Sequence, residues 1–186
     1  MEVLIAGNKD YGLAKSLHNI YNNATFLSRT TDFNLGKKDI RESVAEMSLK
    51  YDVFIAVSAL GDFSQTLLVE SIIKRWWKEN HKGYLIAVGS SADTPVKGSK
   101  WIYPVEKKAL RNYMRQLSQA VSSETPPSWK TTYISPGNMH TPRQDEKMPG
   151  ISKLDTDYVA ETIKWLIDQP NDINVSELCL DKIQKS

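Results

Sequence analysis

The sequence predicts an α/β fold, a doubly wound parallel sheet of about seven strands with helices on both faces. Short apolar runs recur along the chain, stretches with helical apolar spacing separate them, and a glycine-bearing loop joins the first run to the first such stretch. Alternation of this kind produces parallel strands, because a helix must carry the chain back across the sheet between one strand and the next.

The opening Glu2-Val-Leu-Ile-Ala6 reads as a buried strand, Gly7 to Gly12 as a loop, and Leu13 to Tyr21 as a helix with one apolar face. Ala24 to Ser28 is a second strand, Phe33 to Leu35 a short third, and Asp39 to Leu49 a helix. Asp52-Val-Phe-Ile-Ala-Val57 is apolar at every position after the first, as expected for a strand covered on both faces. Phe63 to Glu79 then reads as a long helix, Gly83 to Val88 as a strand and Pro104 to Val121 as a helix. Trp129 to Ile134 is a strand, Thr156 to Ile167 a helix and Ile173 to Leu180 a closing strand. Ser122 to Ser128 and Gly137 to Asp155 read as loops within the same domain.

The 186 residues fit one domain, 1–186, around one core. With 24 Lys+Arg against 22 Asp+Glu the formal charge is +2, which argues against nucleic acid as a partner. A single cysteine, Cys179, makes no internal disulfide and reads as a small core residue of the closing strand. The histidines His18, His81 and His140 lack metal-ligand spacing, so no metal site is expected. No apolar run has the length of a signal peptide or a membrane span, which predicts a soluble cytoplasmic protein without membrane contact. Trp76 and Trp77 lie on a sheet-covering helix and read as core or subunit-contact residues.

In doubly wound sheets ligands bind beyond the carboxyl ends of the strands, where the strand order reverses, so the loops that follow strands hold the candidate residues. Gly7-Asn-Lys-Asp-Tyr-Gly12 follows a strand and opens a helix, the Rossmann-like setting in which glycines let backbone amides approach a pyrophosphate. A plain tight turn would use the same two glycines, and the loop alone does not separate the two readings. Ser28-Arg29-Thr30 follows the second strand. An acid there meets the ribose hydroxyls of NAD and an arginine meets the extra phosphate of NADP, so Arg29 favours NADP(H) over NAD(H), with Asp32 close by.

Ile86-Ala-Val88 ends in Gly89-Ser90-Ser91-Ala92, and Tyr103-Pro-Val-Glu-Lys107 opens the next long helix. With 8 tyrosines, composition alone yields about one Tyr-x-x-x-Lys, and Tyr11 with Lys15 is a second, assigned to structure. Tyr103 and Lys107 stand out by position, after a strand that ends in serines and before one that ends in Pro136-Gly137. Residues four apart on a helix share a face, which puts the Lys107 ammonium near the Tyr103 hydroxyl. That charge is expected to draw the tyrosine below its ordinary value of about 10 and make it an acid/base near neutrality. Ser91 or Ser90 would hydrogen-bond a substrate oxygen. Pro104 disfavours helical backbone at the residue before it, which predicts Pro104 as the first helical residue and Tyr103 as the cap.

With these residues in this order the chain resembles the short-chain dehydrogenase/reductase family over about residues 1 to 181, as a shortened member. The landmarks are Asp52-Val-Phe-Ile, Val88-Gly-Ser-Ser-Ala92, Tyr103-Pro-Val-Glu-Lys107, Ser135-Pro-Gly-Asn-Met-His-Thr141 and the late helix Tyr158-Val-Ala-Glu-Thr-Ile-Lys-Trp-Leu166. The resemblance implies an oxidoreductase that moves hydride between NAD(P) and a small carbonyl or alcohol. It assigns substrate polarisation to Ser91, or to Ser90, whose distance to the tyrosine fits the family better. It assigns proton donation to Tyr103, and to Lys107 a ribose contact that also tunes the tyrosine.

Cofactor contacts implied by the resemblance begin with Gly7, Asn8, Lys9, Asp10, Tyr11, Gly12 and Leu13 in the first loop. They continue with Ser28, Arg29 and Thr30 after the second strand and with Val57, Ser58 and Ala59 after the strand that starts at Asp52. Tyr103, Lys107, Pro136, Gly137, Met139 and Thr141 complete them. The first loop is one residue shorter than the family's and lacks its middle glycine, Ala56-Val-Ser-Ala59 stands where the family has Asn-Asn-Ala-Gly, and the asparagine of the family's proton relay has no clear match. These departures keep a second expectation open, a catalytically eroded nucleotide-binding sensor or regulatory module of the same fold. Family resemblance also implies a homo-dimer or homo-tetramer built on the long helices.

Overall fold

The computed structural model describes residues 1–58, 61–94, 100–123 and 125–184. Six strands, β1 (Val3–Ala6), β2 (Thr25–Leu27), β3 (Val53–Ala56), β4 (Tyr84–Val88), β5 (Lys130–Pro136) and β6 (Glu177–Leu180), pair in parallel in the order β2-β1-β3-β4-β5-β6. The helices are α1 (Gly12–Ile20), α2 (Lys38–Ser48), α3 (Ser64–Lys78), α4 (Tyr103–Val121), the short α5 (Pro142–Lys147) and α6 (Thr156–Ile167).

Alternate strand residues feed two cores, which is why the strands read as unbroken apolar runs. Leu4, Phe54, Leu85 and Tyr133 face α2, α3 and α4, where Val44, Leu68, Ile72, Trp76, Leu110 and Met114 meet them. Val3, Ile5, Ile55, Ile86 and Ile134 face the other way onto Leu13 and Leu17 of α1 and Val159, Ile163 and Leu166 of α6. The chain runs outward from β1 to β2, then crosses back to lay β3 on the other side of β1. The order therefore reverses between β1 and β3, and a crevice opens there above the strand ends.

Six strands form where about seven were expected. Phe33 to Leu35 makes no strand: a 3-10 turn at Arg29–Thr31 ends in Asp32 with a left-handed backbone, φ 64°, which folds the chain back against β2. Leu35 still reaches the core, through a turn. Helix α4 starts at Tyr103 with Pro104 inside its first turn, one residue earlier than expected, because Ile102 takes helical backbone and accepts the N–H groups of Val105 and Glu106. Cys179 lies exposed on the edge strand β6, a correction to its expected place in the core. Trp76 is fully buried and donates to Ser48 Oγ at 2.8 Å, whereas Trp77 is exposed and packs on Trp129. Among the described residues no helix is long and apolar enough to cross a membrane.

Candidate functional site

A cleft of about 580 Å³ fills the crevice at the β1/β3 switch. Its floor is the loop after β1, where the Gly7 N–H binds Leu27 O at 2.9 Å and a side chain at position 7 would come within 2.9 Å of Ala14 Cβ. Gly12 opens α1 with φ +53°, a backbone that favours glycine, and its Cα faces Thr141 closely enough that a Cβ would stand 3.2 Å from Thr141 Cγ2. Tyr11, the residue before α1, gives no side-chain cap, so the first-turn amides keep their capacity for an anion.

Gly7, Asn8, Tyr11, Gly12, Leu13, Ser28, Arg29, Thr30, Val57, Ser58, Met139 and Thr141 line this cleft, all of them positions singled out from the sequence. Ala14, Phe33, Leu35 and Arg143 line it as well and were not. Lys9 and Asp10 are exposed and outside the lining, the latter turned away by an N–H bond to Asn8 Oδ1 at 3.1 Å. Among the described residues no carboxylate lines the cleft. Ala59 lies outside the described residues. Pro136 and Gly137 are bound instead to the end of β6, where Gly137 N–H donates to Leu180 O at 2.7 Å and Asp181 leaves no room for a side chain. A larger hollow of about 710 Å³ opens at the opposite edge of the sheet, by Lys82, Tyr84 and Trp129, away from the carboxyl ends of the strands.

The polar constellation assembles over the ends of β3 and β4; Ser90, Ser91, Tyr103 and Lys107 are outside the cleft lining, so the cofactor contacts implied for Tyr103 and Lys107 are not among its walls. Ser90 caps the 3-10 turn Ser91–Asp93 through its Oγ, which accepts the Ala92 N–H at 3.2 Å, and it stands near enough to the Tyr103 side chain to favour its ionised form. Tyr103 and Lys107 share a face as expected, with Lys107 Nζ 5.5 Å from the centre of the Tyr103 ring. The ammonium is committed elsewhere: it donates to Gln65 Oε1 at 2.5 Å. Gln65, from the first turn of α3, is buried and donates its amide to Ala56 O at 3.0 Å and Val88 O at 2.9 Å, the last carbonyls of β3 and β4. Those two bonds fix its orientation and leave only the oxygen for Lys107.

The expected electrostatics are reversed at the tyrosine. Burial pushes Tyr103 above its ordinary value, the Ser90 hydrogen bond pulls it down, and the nearby Asp93 and Glu106 push it up again. Lys107 is drawn down to about 8 because burial outweighs the support of Glu106 and Asp93. The physical reason is placement: the lysine charge sits over the ring and is desolvated, and the charges of Asp93 and Glu106 oppose ionisation of the tyrosine.

Those acids are structural anchors. Asp93, its side chain fully buried, accepts from Tyr133 Oη at 2.5 Å and from Arg111 Nη1 at 2.9 Å. Arg111 continues to Glu177 on β6, which Arg115 also holds, at 2.8 Å. Glu106 Oε1 accepts the Phe63 N–H at 3.1 Å, bracing a turn in which Asp62 and Phe63 both carry φ of 55°. His140 is exposed and pairs with Asp145 at 3.1 Å. Gln65 and Asp93 were missed because a lone amide or acid near a loop carries no spacing signature.

No family model matches the chain. It is 27% identical over 152 residues to an uncharacterized oxidoreductase of Staphylococcus aureus (strain N315), covering 81% of this chain and 57% of that protein. The chain thus spans little more than half the length of that relative. Among solved structures it superposes on a short chain dehydrogenase/reductase family protein with a TM-score of 0.76 at 15% identity, covering 97% of this chain and 95% of that one. The closed form of a serine dehydrogenase complexed with NADP+ gives a TM-score of 0.70 at 14% identity, covering 97% and 94%. The fold is that of the short-chain dehydrogenases and reductases. The chain has this fold in a reduced, six-stranded version, and its sequence is similar to that of proteins named oxidoreductases.

Proposed function

We propose that the protein is an NAD(P)-dependent oxidoreductase, acting on a small carbonyl or alcohol with Tyr103 as acid/base. The observation that carries the reading is the link, through Gln65, between a cleft with no carboxylate among its described lining residues, bounded by the α1 N-terminus and Arg29, and the Ser90–Tyr103–Lys107 cluster. Both lie at the carboxyl edge of one sheet, and Gln65 links them by binding Ala56 O, next to the cleft residue Val57. The cleft fits a dinucleotide in charge, since a helix terminus and an arginine both favour phosphate. Arg29 in the lining, with Asp32 outside it, supports NADP(H) over NAD(H).

Reduced nicotinamide supplies hydride to a carbonyl carbon. The chain's own groups handle the oxygen: Ser90 and Tyr103 donate hydrogen bonds to it, and the Tyr103 proton passes to it as the alcohol forms. A tyrosine held above its ordinary value stays protonated near neutrality, which suits the reductive direction; oxidation needs the phenolate and gains as pH rises. Exposed Leu67 and Trp77 on α3 and Val105 on α4 support a homo-oligomer built on these helices, testable by light scattering.

The test is cofactor binding by calorimetry, followed by NADPH consumption across a panel of small ketones and aldehydes. Tyr103→Phe is expected to abolish turnover and keep cofactor binding; full activity in that variant rejects the mechanism. One observation favours a second reading, a nucleotide-binding sensor: the Lys107 ammonium is bonded to Gln65 and does not bring Tyr103 down. Tight binding without turnover on any substrate selects it.

A further inference from the structure

We infer that Arg143 is a second anion-binding residue of the cleft and clamps the pyrophosphate of a dinucleotide, while Arg29 takes the phosphate on the ribose. The inference rests on the dinucleotide reading above. The chain has six arginines. Arg41 donates to Leu35 O and Gly36 O, Arg75 pairs with Glu46 and Glu79, Arg111 with Asp93 and Glu177, and Arg115 with Glu177. Arg29 and Arg143 alone have no protein partner among the described residues, and both line the same cleft. Two unpaired guanidinium groups lining a pocket that has no carboxylate among the described residues describe a site for a multiply charged anion.

Position separates their roles. Arg29 follows β2, on the wall that a Rossmann-like sheet presents to the adenosine ribose. Arg143 lies two residues past Thr141, whose methyl group stands over Gly12 at the α1 N-terminus. A pyrophosphate seated on that terminus would therefore lie beneath the segment that carries Arg143. The segment is built to present it. Thr141 Oγ1 accepts the Gln144 N–H at 3.2 Å and Pro142 fixes the first position of α5, which sets the backbone at Arg143. The nearby Asp145 is already held by Lys153 at 3.2 Å and His140 at 3.1 Å, so it leaves the guanidinium unclaimed. The cation replaces charge stabilisation that a loop with only Gly7 and Gly12 supplies less fully.

The experiment is calorimetric titration of the wild type, Arg143→Gln and Arg29→Gln with NADPH, NADH, ADP and AMP. A hydrogen-bonded ion pair to phosphate corresponds to about a ten- to hundredfold affinity change. Arg143→Gln is expected to weaken NADPH and NADH by the same factor in that range and to reduce the preference for ADP over AMP by that factor. Arg29→Gln is expected to weaken NADPH alone. Both residues are exposed and unpaired, so unchanged circular dichroism and melting temperature identify a binding effect. If the wild type binds NADPH and Arg143→Gln binds it equally well, the inference is overturned while the dinucleotide reading stands. Loss confined to NADPH in Arg143→Gln overturns the assignment to pyrophosphate. A wild type that binds neither dinucleotide overturns the underlying reading and this inference with it.

Discussion

Gln65→Leu removes the one side chain that ties Lys107 to the ends of β3 and β4. Gln65 makes three hydrogen bonds at 4% exposure, two to backbone carbonyls and one from the ammonium. Neutral bonds of this kind are worth about 0.5–1.5 kcal/mol each and one to a charged group about 1.5–3 kcal/mol, so the loss near neutrality is about 4 kcal/mol. In a domain of this length each kcal/mol moves the melting temperature by about 2–4 °C, which predicts a fall of about 10 °C or more. Lys107 makes the loss pH-dependent. Its value is about 8 in the fold against 10.5 as a free side chain, so the unfolded chain binds the extra proton between those limits. Wild-type stability from this group therefore rises with pH across that window, by about 3 kcal/mol at about 1.4 kcal/mol per unit. At about pH 9.5 the folded lysine is neutral, and Gln65→Leu then forfeits three neutral bonds, about 3 kcal/mol. Urea unfolding of both proteins at about pH 6.5 and about pH 9.5 measures the difference. Equal losses at the two pH values, or a loss below about 1 kcal/mol at the lower one, would refute the reasoning.

Two further outcomes follow from the same region. Gly89→Ala places a methyl group 1.7 Å from Tyr133 Oη, and that ring is fully buried and bound to Asp93, so it cannot swing clear. Overpacking and the strained bond together cost about 2–5 kcal/mol in urea unfolding, and a melting temperature equal to wild type contradicts the packing described. At acid pH, burial raises Glu177, but the hydrogen bonds and charges of Arg111 and Arg115 outweigh it and hold the carboxyl at about 2 instead of 4.5. That depressed value contributes stability above 4.5 which is lost as pH falls towards 2. Glu177→Gln is expected to flatten the acid limb of the stability curve, and a limb as steep as wild type's shows that the network carries no such linkage.

The fold was legible because it rests on periodicity. The runs at Val3–Ala6, Val53–Ala56 and Tyr84–Val88 are buried on both faces, and nothing else in the chain competes with that pattern. Phe33 to Leu35 misled because two apolar residues around a polar one fit a strand and a core-facing turn equally, and the decision lay with the left-handed Asp32. The first-loop positions were legible as a group, yet the direction of each side chain was not: Asn8 and Tyr11 turn in while Lys9 and Asp10 turn out, as a short turn dictates. Arg143 was missed because α5 lies in a stretch that reads as polar loop. The tyrosine's electrostatics failed for a different reason. Spacing places Lys107 near Tyr103, but desolvation and the positions of Asp93 and Glu106 depend on packing between α3, α4 and β5.

That packing divides the carboxyl edge of the sheet by charge. On the side of β1 and β2, the cleft presents arginines and a helix terminus, with no acid in its lining among the described residues. On the side of β4, β5 and β6, Asp93 and Glu177 are bound into the Arg111 and Arg115 network, and Glu106 braces the turn before α3. Tyr103 stands between the two, with the acids near enough to oppose its ionisation and the lysine's charge directed to Gln65. Breaking the Gln65–Lys107 bond would free the ammonium to turn towards the hydroxyl, but would also lower the lysine's hold on its proton, since its burial is unchanged. The two effects oppose each other at the tyrosine. The pH at which Tyr103 ionises in Gln65→Leu, read by ultraviolet difference spectra against the Tyr103→Phe background, therefore reports which one wins: a downward shift means that the liberated charge reaches the phenol, and an upward shift means that the lysine has gone neutral first.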